Sequence, residues 1–209
     1  METFNFDDTI VLENETVLLR PLRHEDLPHL EPFALGEPEI WKYSLISPAG
    51  SREALASYIE AAIADRENHT AYPFIVFDKR CGQYVGNTRF YDISPANGYL
   101  QLGYTWYGSE FCGTGLNKNC KLLLLDFAFR ALKAERVEFR AHSRNERSIA
   151  AMHSIGCGTE GLLRSHLPGA DGIRRDTIIL SILHKEWEDG LRENLLNKIK
   201  YGSISQKGN

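Results

Sequence analysis

Residues 102–129 read LGYTWYGSEFCGTGLNKNCKLLLLDFAF and hold the features that decide the fold. A strand-like segment ends in a turn with two glycines, and a strongly apolar helix is predicted from there over residues 117–132. The start of a helix carries unpaired N–H groups and a partial positive charge, so Lys118 and Lys121 are mildly unfavourable there. An anion held at this turn would remove the conflict.

The turn itself is compatible with two interpretations. In the first, Gly113 and Gly115 let backbone N–H groups converge on a phosphate or pyrophosphate without a Cβ in the way. In the second, the turn only joins a strand to a helix and the lysines are solvated. Familiar nucleotide motifs do not match, because G-x-x-x-x-G-K-[ST] is missing and Lys118 occupies the third glycine position of G-x-G-x-x-G. The turn also follows an antiparallel meander rather than the first strand of a parallel unit.

The flanking sequence predicts one α/β domain with a mixed sheet. Alternating apolar residues indicate strands, and apolar residues at helical spacing indicate helices. The predicted strands are residues 16–22, 71–78, 84–93, 99–107, 135–142, 161–167 and 174–183, and the predicted helices are residues 24–35, 52–68, 117–132 and 143–155. Gly82 and the turn at residues 95–98 separate three strands of an antiparallel meander.

The tail of the chain predicts one more helix. From Trp187 onward, Leu191, Leu195 and Ile199 follow at four-residue spacing, which is typical of an amphipathic helix. Its apolar stripe is expected to dock on this chain or on a partner. Residues 203–209 are expected to be frayed.

The composition excludes several classes of protein. The chain has 209 residues, a net charge of −4 and 43% hydrophobic residues, which are ordinary values for a globular domain. Acidic and basic residues are interspersed, so no basic stripe favours nucleic acid as a partner. No apolar run approaches the ~20 residues of a membrane span. The N-terminus lacks a charged-then-apolar signal pattern, so a cytoplasmic protein is expected.

The four cysteines are Cys81, Cys112, Cys120 and Cys157, and none belongs to a C-x-x-C pair or has a histidine at ligand spacing. We therefore expect neither a zinc site nor a disulfide framework. Three of them are predicted to pack as small apolar side chains. Cys112 differs, because it lies at a helix start where thiolates are favoured. A nucleophilic role is one interpretation, and an ordinary loop residue is the one that we favour.

Three segments in order resemble one known family. They are residues 102–129, VEFRAHSRNERSIAAMHSIG (137–156) and EGLLRSHLPGADGIRRDTIILSILHKEW (160–187). The arrangement resembles the GNAT superfamily of acyl-CoA-dependent N-acyltransferases, most closely its RimJ/RimL-like ribosomal-protein N-terminal acetyltransferase branch. The resemblance implies a mostly antiparallel central sheet flanked by helices, acetyl-CoA as co-substrate and no metal. It also implies a single GNAT domain over residues 1–187, followed by the helix and tail at residues 188–209.

The resemblance also assigns residues to the coenzyme. Backbone N–H groups of the glycine turn would hold the pyrophosphate, and the strand before the turn would bind the pantetheine arm through its backbone. The turn residues are Phe111, Cys112, Gly113, Thr114, Gly115 and Leu116, with Asn117 beginning the helix, and the strand residues are Thr105 and Trp106. One departure is Glu110, because the family usually has Gln or Arg at this first motif position.

A second group of site residues follows the strand at 135–142. The resemblance gives the Asn145 side chain a hydrogen bond to the pantetheine and places Ser148 near the thioester sulfur. A simpler interpretation is a capping box from Ser143 to Glu146, which needs no ligand. Many family members protonate the departing thiolate with a tyrosine seven residues after the asparagine. Here that residue is Met152, so the Ser148 hydroxyl is the remaining local proton donor.

The general base is not identified by the sequence. Gln101 stands where RimL-like relatives often have Glu, and an amide cannot take the proton. A water chain, His24, Asp92 or His142 are the alternatives. Two stretches are candidates for the lining of an acceptor pocket, although a solvated sheet face or turn is the expectation for both. They are Arg89, Tyr91 and Asp92 in one, and Arg174, Arg175 and Asp176 of the hairpin at residues 171–177 in the other.

Three functions remain open at this point. The leading one is an acetyl-CoA-dependent N-acetyltransferase that transfers the acetyl group directly to a primary amine, with a protein or peptide N-terminus as the expected acceptor. A small-molecule acetyltransferase for polyamines, amino sugars or an antibiotic amine is the second. A non-catalytic acyl-CoA-binding protein is the third, supported by Gln101 and Met152. A homodimer is a further expectation.

Overall fold

The computed structural model describes residues 1–47, 50–169 and 172–202. Its strands are β1 (Leu12–Glu13), β2 (Val17–Pro21), β3 (Ala71–Asp78), β4 (Gln83–Ser94), β5 (Tyr99–Tyr107), β6 (Arg136–His142), β7 (Gly158–Pro168) and β8 (Arg174–Leu183). Its helices are α1 (Leu27–Gly36), α2 (Arg52–Glu67), α3 (Leu116–Asp126), α4 (Glu146–Ser154), the single turn α5 (His184–Glu186) and α6 (Arg192–Gly202). Asp171 of the predicted hairpin and the tail at residues 203–209 lie outside the described residues.

The strands form one mixed sheet in the order β1-β2-β3-β4-β5-β6-β8-β7. All neighbouring strands run antiparallel except β5 and β6, which are parallel. The α3 helix makes the crossover between those two strands, since a parallel pair needs a long connection. The predicted fold class, a mostly antiparallel sheet flanked by helices, is confirmed.

The central meander follows the sequence prediction closely. Strands β3 and β5 have the predicted limits, and β4 extends slightly beyond them at both ends. Gly82 and Gly98 have positive φ angles of 71° and 69° at the two connections. Glycine adopts this conformation without the Cβ penalty that other residues carry, so each connection reverses the chain where the sequence predicts it.

Helices cover both faces of the sheet at β5. Thr105 and Trp106 are neighbours on this strand, and neighbouring side chains point to opposite faces. The Trp106 indole donates a hydrogen bond to the Tyr58 hydroxyl of α2 at 3.3 Å. Lys121 of α3 donates to the Thr105 hydroxyl from the other side at 3.0 Å. The strand is therefore enclosed between α2 and α3.

The C-terminal helix packs on its own chain. Trp187 is fully buried, and its indole donates to the Asp126 carboxylate of α3 at 3.1 Å. Arg192 donates to the same carboxylate at 2.7 Å, and Leu195 of α6 lies in the main core. Of the two docking partners that the sequence left open, the structure shows the chain itself. The division of the chain at residue 187 and the homodimer stay predictions.

Three local predictions need correction. Cys81 is exposed in the β3–β4 turn, so it does not pack as a small apolar residue, whereas Cys120 and Cys157 are buried as predicted. The helix predicted over residues 117–132 is α-helical only as far as Asp126, and a π-helical turn at Phe127–Ala131 follows it. A single 3₁₀ turn at residues 24–26 precedes α1. Within the described residues, no helix is long and apolar enough to cross a membrane.

Candidate active site

A wedge-shaped cleft opens between β5 and β6. The two strands pair only along Tyr99–Gln101 and Arg136–Glu138, and both then continue without pairing to each other. We call this opening the β5–β6 cleft. Thr105 and Trp106, which the resemblance assigns to the pantetheine arm, lie on its β5 side. The cleft exposes a strand edge whose backbone groups can bind an extended ligand arm.

The glycine turn adjoins this cleft at the start of α3. Gly113 and Gly115 have positive φ angles of 79° and 85°, and Gly115 is the N-cap of the helix. A Cβ built on either glycine meets no atom within 4 Å, so the space beside the turn is open. An open concave turn at a helix start fits a diphosphate, as the sequence predicts. The other assigned turn residues do not block it: Phe111 and Leu116 are buried, Cys112 is exposed, the Thr114 hydroxyl donates to the Phe111 carbonyl, and Asn117 accepts from the Tyr107 hydroxyl.

Arg80 braces this turn, although no sequence pattern indicated it. Its guanidinium donates to the Thr114 carbonyl at 2.9 Å and to the buried Asp78 carboxylate at 2.6 Å. Burial opposes ionisation of Asp78, but the hydrogen bonds from Arg80 outweigh it and lower the pKa of Asp78. Arg80 comes from the β3–β4 turn, far from Thr114 in sequence, so no local pattern could reveal the contact. The Arg80–Asp78 pair therefore holds the glycine turn in place beside the predicted diphosphate cradle.

Asn145, rather than Ser143, caps α4. The Asn145 side-chain oxygen accepts a hydrogen bond from the Ser148 N–H at 3.1 Å. The predicted capping box from Ser143 to Glu146 is therefore wrong. The N-cap lies two residues later than predicted, because the Asn145 N–H donates to the His142 carbonyl in a turn that precedes α4. The Asn145 amide retains its NH₂ group as a donor.

Ser148 and Met152 occupy the same helix one turn apart. Ser148 is half-buried, and its hydroxyl makes no hydrogen bond within the described residues. Met152 is buried in the core. The hydroxyl is thus available to a ligand at the helix start, and Met152 supplies only packing. The roles predicted for Asn145 and Ser148 toward the coenzyme stay predictions.

The two lysines of the glycine turn do not lie together. Lys118 is partly exposed on α3, whereas Lys121 points inward and is only 5% exposed. Neither sequence interpretation described Lys121 correctly, since it is not solvated and does not face the helix start. It turns toward the β5–β6 cleft, because it lies on the face of α3 that packs on the sheet, where it contacts Thr105 of β5 and Phe139 of β6.

A surface cavity of about 430 Å³ lies at the C-terminal end of β6. The loop after α1, the β6–α4 turn and the first residues of β8 form its walls. The charged lining residues in the described part of the chain are Lys42, Arg144, Arg174, Arg175 and Asp176. Trp41, which also lines it, packs against Trp106 at a ring-centroid distance of 4.9 Å. We call this cavity the basic pocket, and it adjoins the β5–β6 cleft through that tryptophan pair.

Arg175 contributes a desolvated cation to the basic pocket. It is 9% exposed and donates to the Tyr43 carbonyl at 2.8 Å, while its Nε has no hydrogen-bond partner in the described residues. Burial lowers the pKa of Arg175. The expectation of a solvated hairpin was therefore wrong for this residue, and Arg174 and Asp176 line the same pocket.

The other predicted pocket stretch is only partly a solvated face, because Asp92 is exposed whereas Arg89 is buried and Tyr91 is partly buried. Arg89 is buried and donates to the Asp65 carboxylate at 3.0 Å, with Tyr104 stacked over its guanidinium. Tyr91 is partly buried beside Tyr104. Arg89 thus lies on the sheet under α2, and neither it nor Tyr91 belongs to the described lining of the basic pocket.

A family model described as an acetyltransferase (GNAT) domain matches residues 16–158. This chain belongs to the GNAT acetyltransferase family. It is accordingly an acetyltransferase, and GNAT acetyltransferases use acetyl-CoA as the acetyl donor. The non-catalytic alternative is set aside.

Relatives of known name agree with this assignment. The Bacillus subtilis (strain 168) protein named "Putative ribosomal N-acetyltransferase YdaF" is 32% identical over 181 residues, covering 84% of this chain and 95% of that protein. "Uncharacterized N-acetyltransferase p20" of Bacillus licheniformis is 27% identical over 180 residues, covering 84% and 97%. The solved structure of Mycobacterium smegmatis RimJ in complex with CoA-disulfide has the same fold, with a TM-score of 0.76 at 22% identity over 90% of this chain and 93% of that one. The predicted RimJ/RimL-like branch is confirmed.

This GNAT acetyltransferase departs from its family's usual proton handling at Gln101. The Gln101 amide is buried and donates to the Asp92 carboxylate at 2.8 Å, which brings that carboxylate to the base of the β5–β6 cleft. Of the other predicted bases, His142 lines the basic pocket, and His24 is exposed beside Glu60. The structure thus separates His24 from the site and keeps Asp92 and His142 near it.

Proposed function

We propose that this GNAT acetyltransferase transfers the acetyl group of acetyl-CoA directly, within a ternary complex, to the primary amine at the N-terminus of a protein or peptide. One observation carries the proposal: the β5–β6 cleft joins an open glycine turn to the basic pocket. The donor and the acceptor can therefore approach the same point from two sides. The name of the 32%-identical relative, a ribosomal N-acetyltransferase, supports a protein acceptor.

Direct transfer is supported by the residues around the pocket. None of the basic pocket's lining residues in the described part of the chain is a cysteine, and the exposed Cys112 lies in the glycine turn on the diphosphate side, so attack by the amine itself is the simpler route. In direct transfer, the neutral amine attacks the thioester carbonyl carbon and the C–S bond breaks. The backbone of the glycine turn binds the diphosphate, the Asn145 amide binds the pantetheine, and the start of α4 faces the sulfur.

The charge of the basic pocket favours one kind of acceptor. Four lining cations, Lys42, Arg144, Arg174 and Arg175, face one lining carboxylate, Asp176, within the described residues. Such a surplus repels polycationic amines such as polyamines and attracts an acidic side chain near the reacting amine. We therefore favour a peptide whose first residues include Asp or Glu.

A thiol-release assay tests the proposal. Acetyl-CoA is supplied with a peptide that carries an acidic second residue, the same peptide with a lysine there, the N-terminally blocked peptide, spermidine and an amino sugar. Rapid thiol release with the acidic peptide, and loss of release on blocking, is the expected result. Turnover confined to spermidine or the amino sugar would transfer the assignment to small-molecule acetylation.

Arg175→Met should weaken recognition of acidic acceptors. Losing a hydrogen bond to a charged group costs about 1.5–3 kcal/mol, so the KM of the acidic peptide should rise roughly 10-fold or more. The KM of the matched lysine peptide should change little, and Arg175→Lys should retain part of the preference. Equal KM changes for the two peptides would show that Arg175 shapes the pocket but does not recognise the acidic side chain of the peptide.

Ser148→Ala should lower the turnover number and leave the dissociation constant of coenzyme A nearly unchanged. The Ser148 hydroxyl donates a hydrogen bond to the departing sulfur, which is worth about 0.5–1.5 kcal/mol, so the turnover number should fall roughly 2- to 10-fold, because water and the helix end can share the work. Steady-state kinetics with the best acceptor, beside calorimetry with coenzyme A, measures both quantities. Wild-type turnover in Ser148→Ala would reduce Ser148 to a helix-start residue.

A further inference from the structure

Lys121 is a buried cation, and none of the described groups that act on it is a carboxylate. It is 5% exposed, and the titratable groups that act on it are the thiols of Cys120 and Cys157. Within the described residues its hydrogen bond is to the neutral Thr105 hydroxyl. Lysine is almost never buried without a partner, because the lost hydration of its ammonium group costs several kcal/mol. A methionine would fill this helix position at a lower free-energy cost.

The ammonium group lies inside the β5–β6 cleft. Its Nζ is 3.0 Å from the Thr105 hydroxyl of β5 and 5.7 Å from the ring centroid of Phe139 on β6. Both residues lie beyond the last paired residues of the two strands, Gln101 and Glu138. Lys121 thus spans the part of the wedge where the strands have separated, on the α3 side of the sheet.

Thr105 leaves most of the ammonium's donors unused. The Thr105 hydroxyl is 2.7 Å from the Thr88 hydroxyl, so the two threonines form a neutral hydrogen-bonded pair beneath the lysine. An ammonium group has three donors, and the Thr105 contact uses one. Two N–H groups can therefore meet a ligand that enters the cleft.

A buried cation is most useful to the acyl-pantetheine arm at its thioester. Its amides and its thioester are neutral in the bound donor. During transfer, negative charge develops on the carbonyl oxygen and then on the departing sulfur. A cation already fixed in a water-poor cleft stabilises that charge far more than it stabilises the neutral donor, which lowers the barrier. The same contact favours a thiolate over a thiol.

We propose that Lys121 is a catalytic residue whose ammonium group contacts the sulfur of the coenzyme and gives it a proton as the acetyl group leaves. The inference rests on the proposed direct transfer. The acceptor nitrogen forms the C–N bond, the electron pair of the C–S bond goes to sulfur, and a proton moves from Nζ to sulfur. The acceptor ammonium releases one proton to water before the attack, its nitrogen releases a second one as the amide forms, and Lys121 regains one from water. The sum is an ammonium and a thioester giving an amide, a thiol and one proton.

The ionisation of Lys121 gives the reaction a pH signature. Burial lowers the pKa of Lys121 to about 8. Its ammonium form is present below that pH and is lost as the pH rises through about 8, so kcat should fall there. The facing thiols of Cys120 on α3 and Cys157 before β7 do not interfere, because burial raises the pKa of each to about 12. Thr105 on β5 and Phe139 on β6 carry no charge.

Calorimetry with coenzyme A and desulfo-coenzyme A, in which hydrogen replaces the thiol, tests the contact without an acceptor. At pH 8 the wild type should bind coenzyme A roughly tenfold more tightly than desulfo-coenzyme A, because a hydrogen bond to a charged group is worth about 1.5–3 kcal/mol. Lys121→Met should bind the two ligands equally and lose ~10² in kcat. It should also melt at a higher temperature, since an apolar side chain replaces a buried unpaired ion.

Matched variants distinguish a catalytic Lys121 from a Lys121 that only supports Thr105. Thr105→Val removes the lysine's neighbour but keeps its charge, so the preference for coenzyme A over desulfo-coenzyme A should remain. Lys121→Arg should keep the preference and move the fall of kcat to higher pH, and it serves as the test if Lys121→Met does not fold. A wild-type ratio of affinities in Lys121→Met, or an equal loss of both affinities, would overturn the proposal and leave Lys121 as a brace for Thr105. Failure of the proposed acceptor would instead appear as no thiol release by the wild type, with the affinity ratio intact.

Discussion

Removal of residues 188–209 is expected to lower the free energy of unfolding by about 4 kcal/mol or more, because full burial of one large apolar side chain is worth roughly 1.5–3 kcal/mol. The apolar side chains lost with this segment pack in or against the main core: Leu191, Leu195, Leu196 and Ile199. The deletion also removes Arg192 from the Asp126 carboxylate. Trp187 stays in the shortened chain but loses its cover.

The affinity of the folded protein for coenzyme A should change little in that deletion, since α6 packs on α3 away from the glycine turn. Urea unfolding followed by tryptophan fluorescence gives the stability, and calorimetry at low temperature gives the affinity. A chain that ends at Gly202 separates the contribution of α6 from that of the residues beyond it. Leu195→Ala, expected to cost about 2–5 kcal/mol, reports the same packing without truncation. A deletion variant of wild-type stability that has lost coenzyme affinity would contradict this view of the tail.

Local patterning predicted most of the fold because its strands are short apolar segments bounded by turn residues such as Gly82 and Gly98. β3 and β5 match their predicted limits, and β8 does as well. The tail helix was also visible from its leucine spacing. Sequence could not show where the tail helix docks, because the contact of Trp187 and Arg192 with Asp126 joins residues about 60 positions apart.

The candidate site was predictable only where a motif is continuous in the chain. The spacing of Gly113 and Gly115 predicted the glycine turn. The structure gives it the positive φ angles and open space that a diphosphate cradle needs. Arg80 was missed because its contact with Thr114 depends on how the meander folds back. Lys121 was misjudged for a related reason: helix position alone did not reveal that the strands separate where its side chain points. Long-range geometry, which one sequence does not encode locally, accounts for both errors.

Gly113→Val is expected to weaken the binding of coenzyme A about 10- to 100-fold. Each hydrogen bond to a charged group is worth about 1.5–3 kcal/mol, and displacing the diphosphate from the turn removes at least one of them. The Cβ position at Gly113 has no neighbouring atom within 4 Å, so the new side chain fills ligand space rather than clashing with the protein. Its positive φ of 79° adds a conformational cost, since β-branched residues rarely adopt it.

That conformational cost has to be separated from the loss of the ligand site, and Gly172 offers the matched control. Gly172 has a φ of 76° and equally open space at its Cβ, but it lies in the connection between β7 and β8. Gly172→Val should therefore lower the melting temperature about as much as Gly113→Val while retaining coenzyme affinity. Calorimetry in the presence of EDTA compares the two variants with the wild type and tests the predicted independence from metal in the same titration. Unchanged affinity in Gly113→Val would place the diphosphate elsewhere, and equal losses in both variants would trace the effect to backbone strain instead of the cradle.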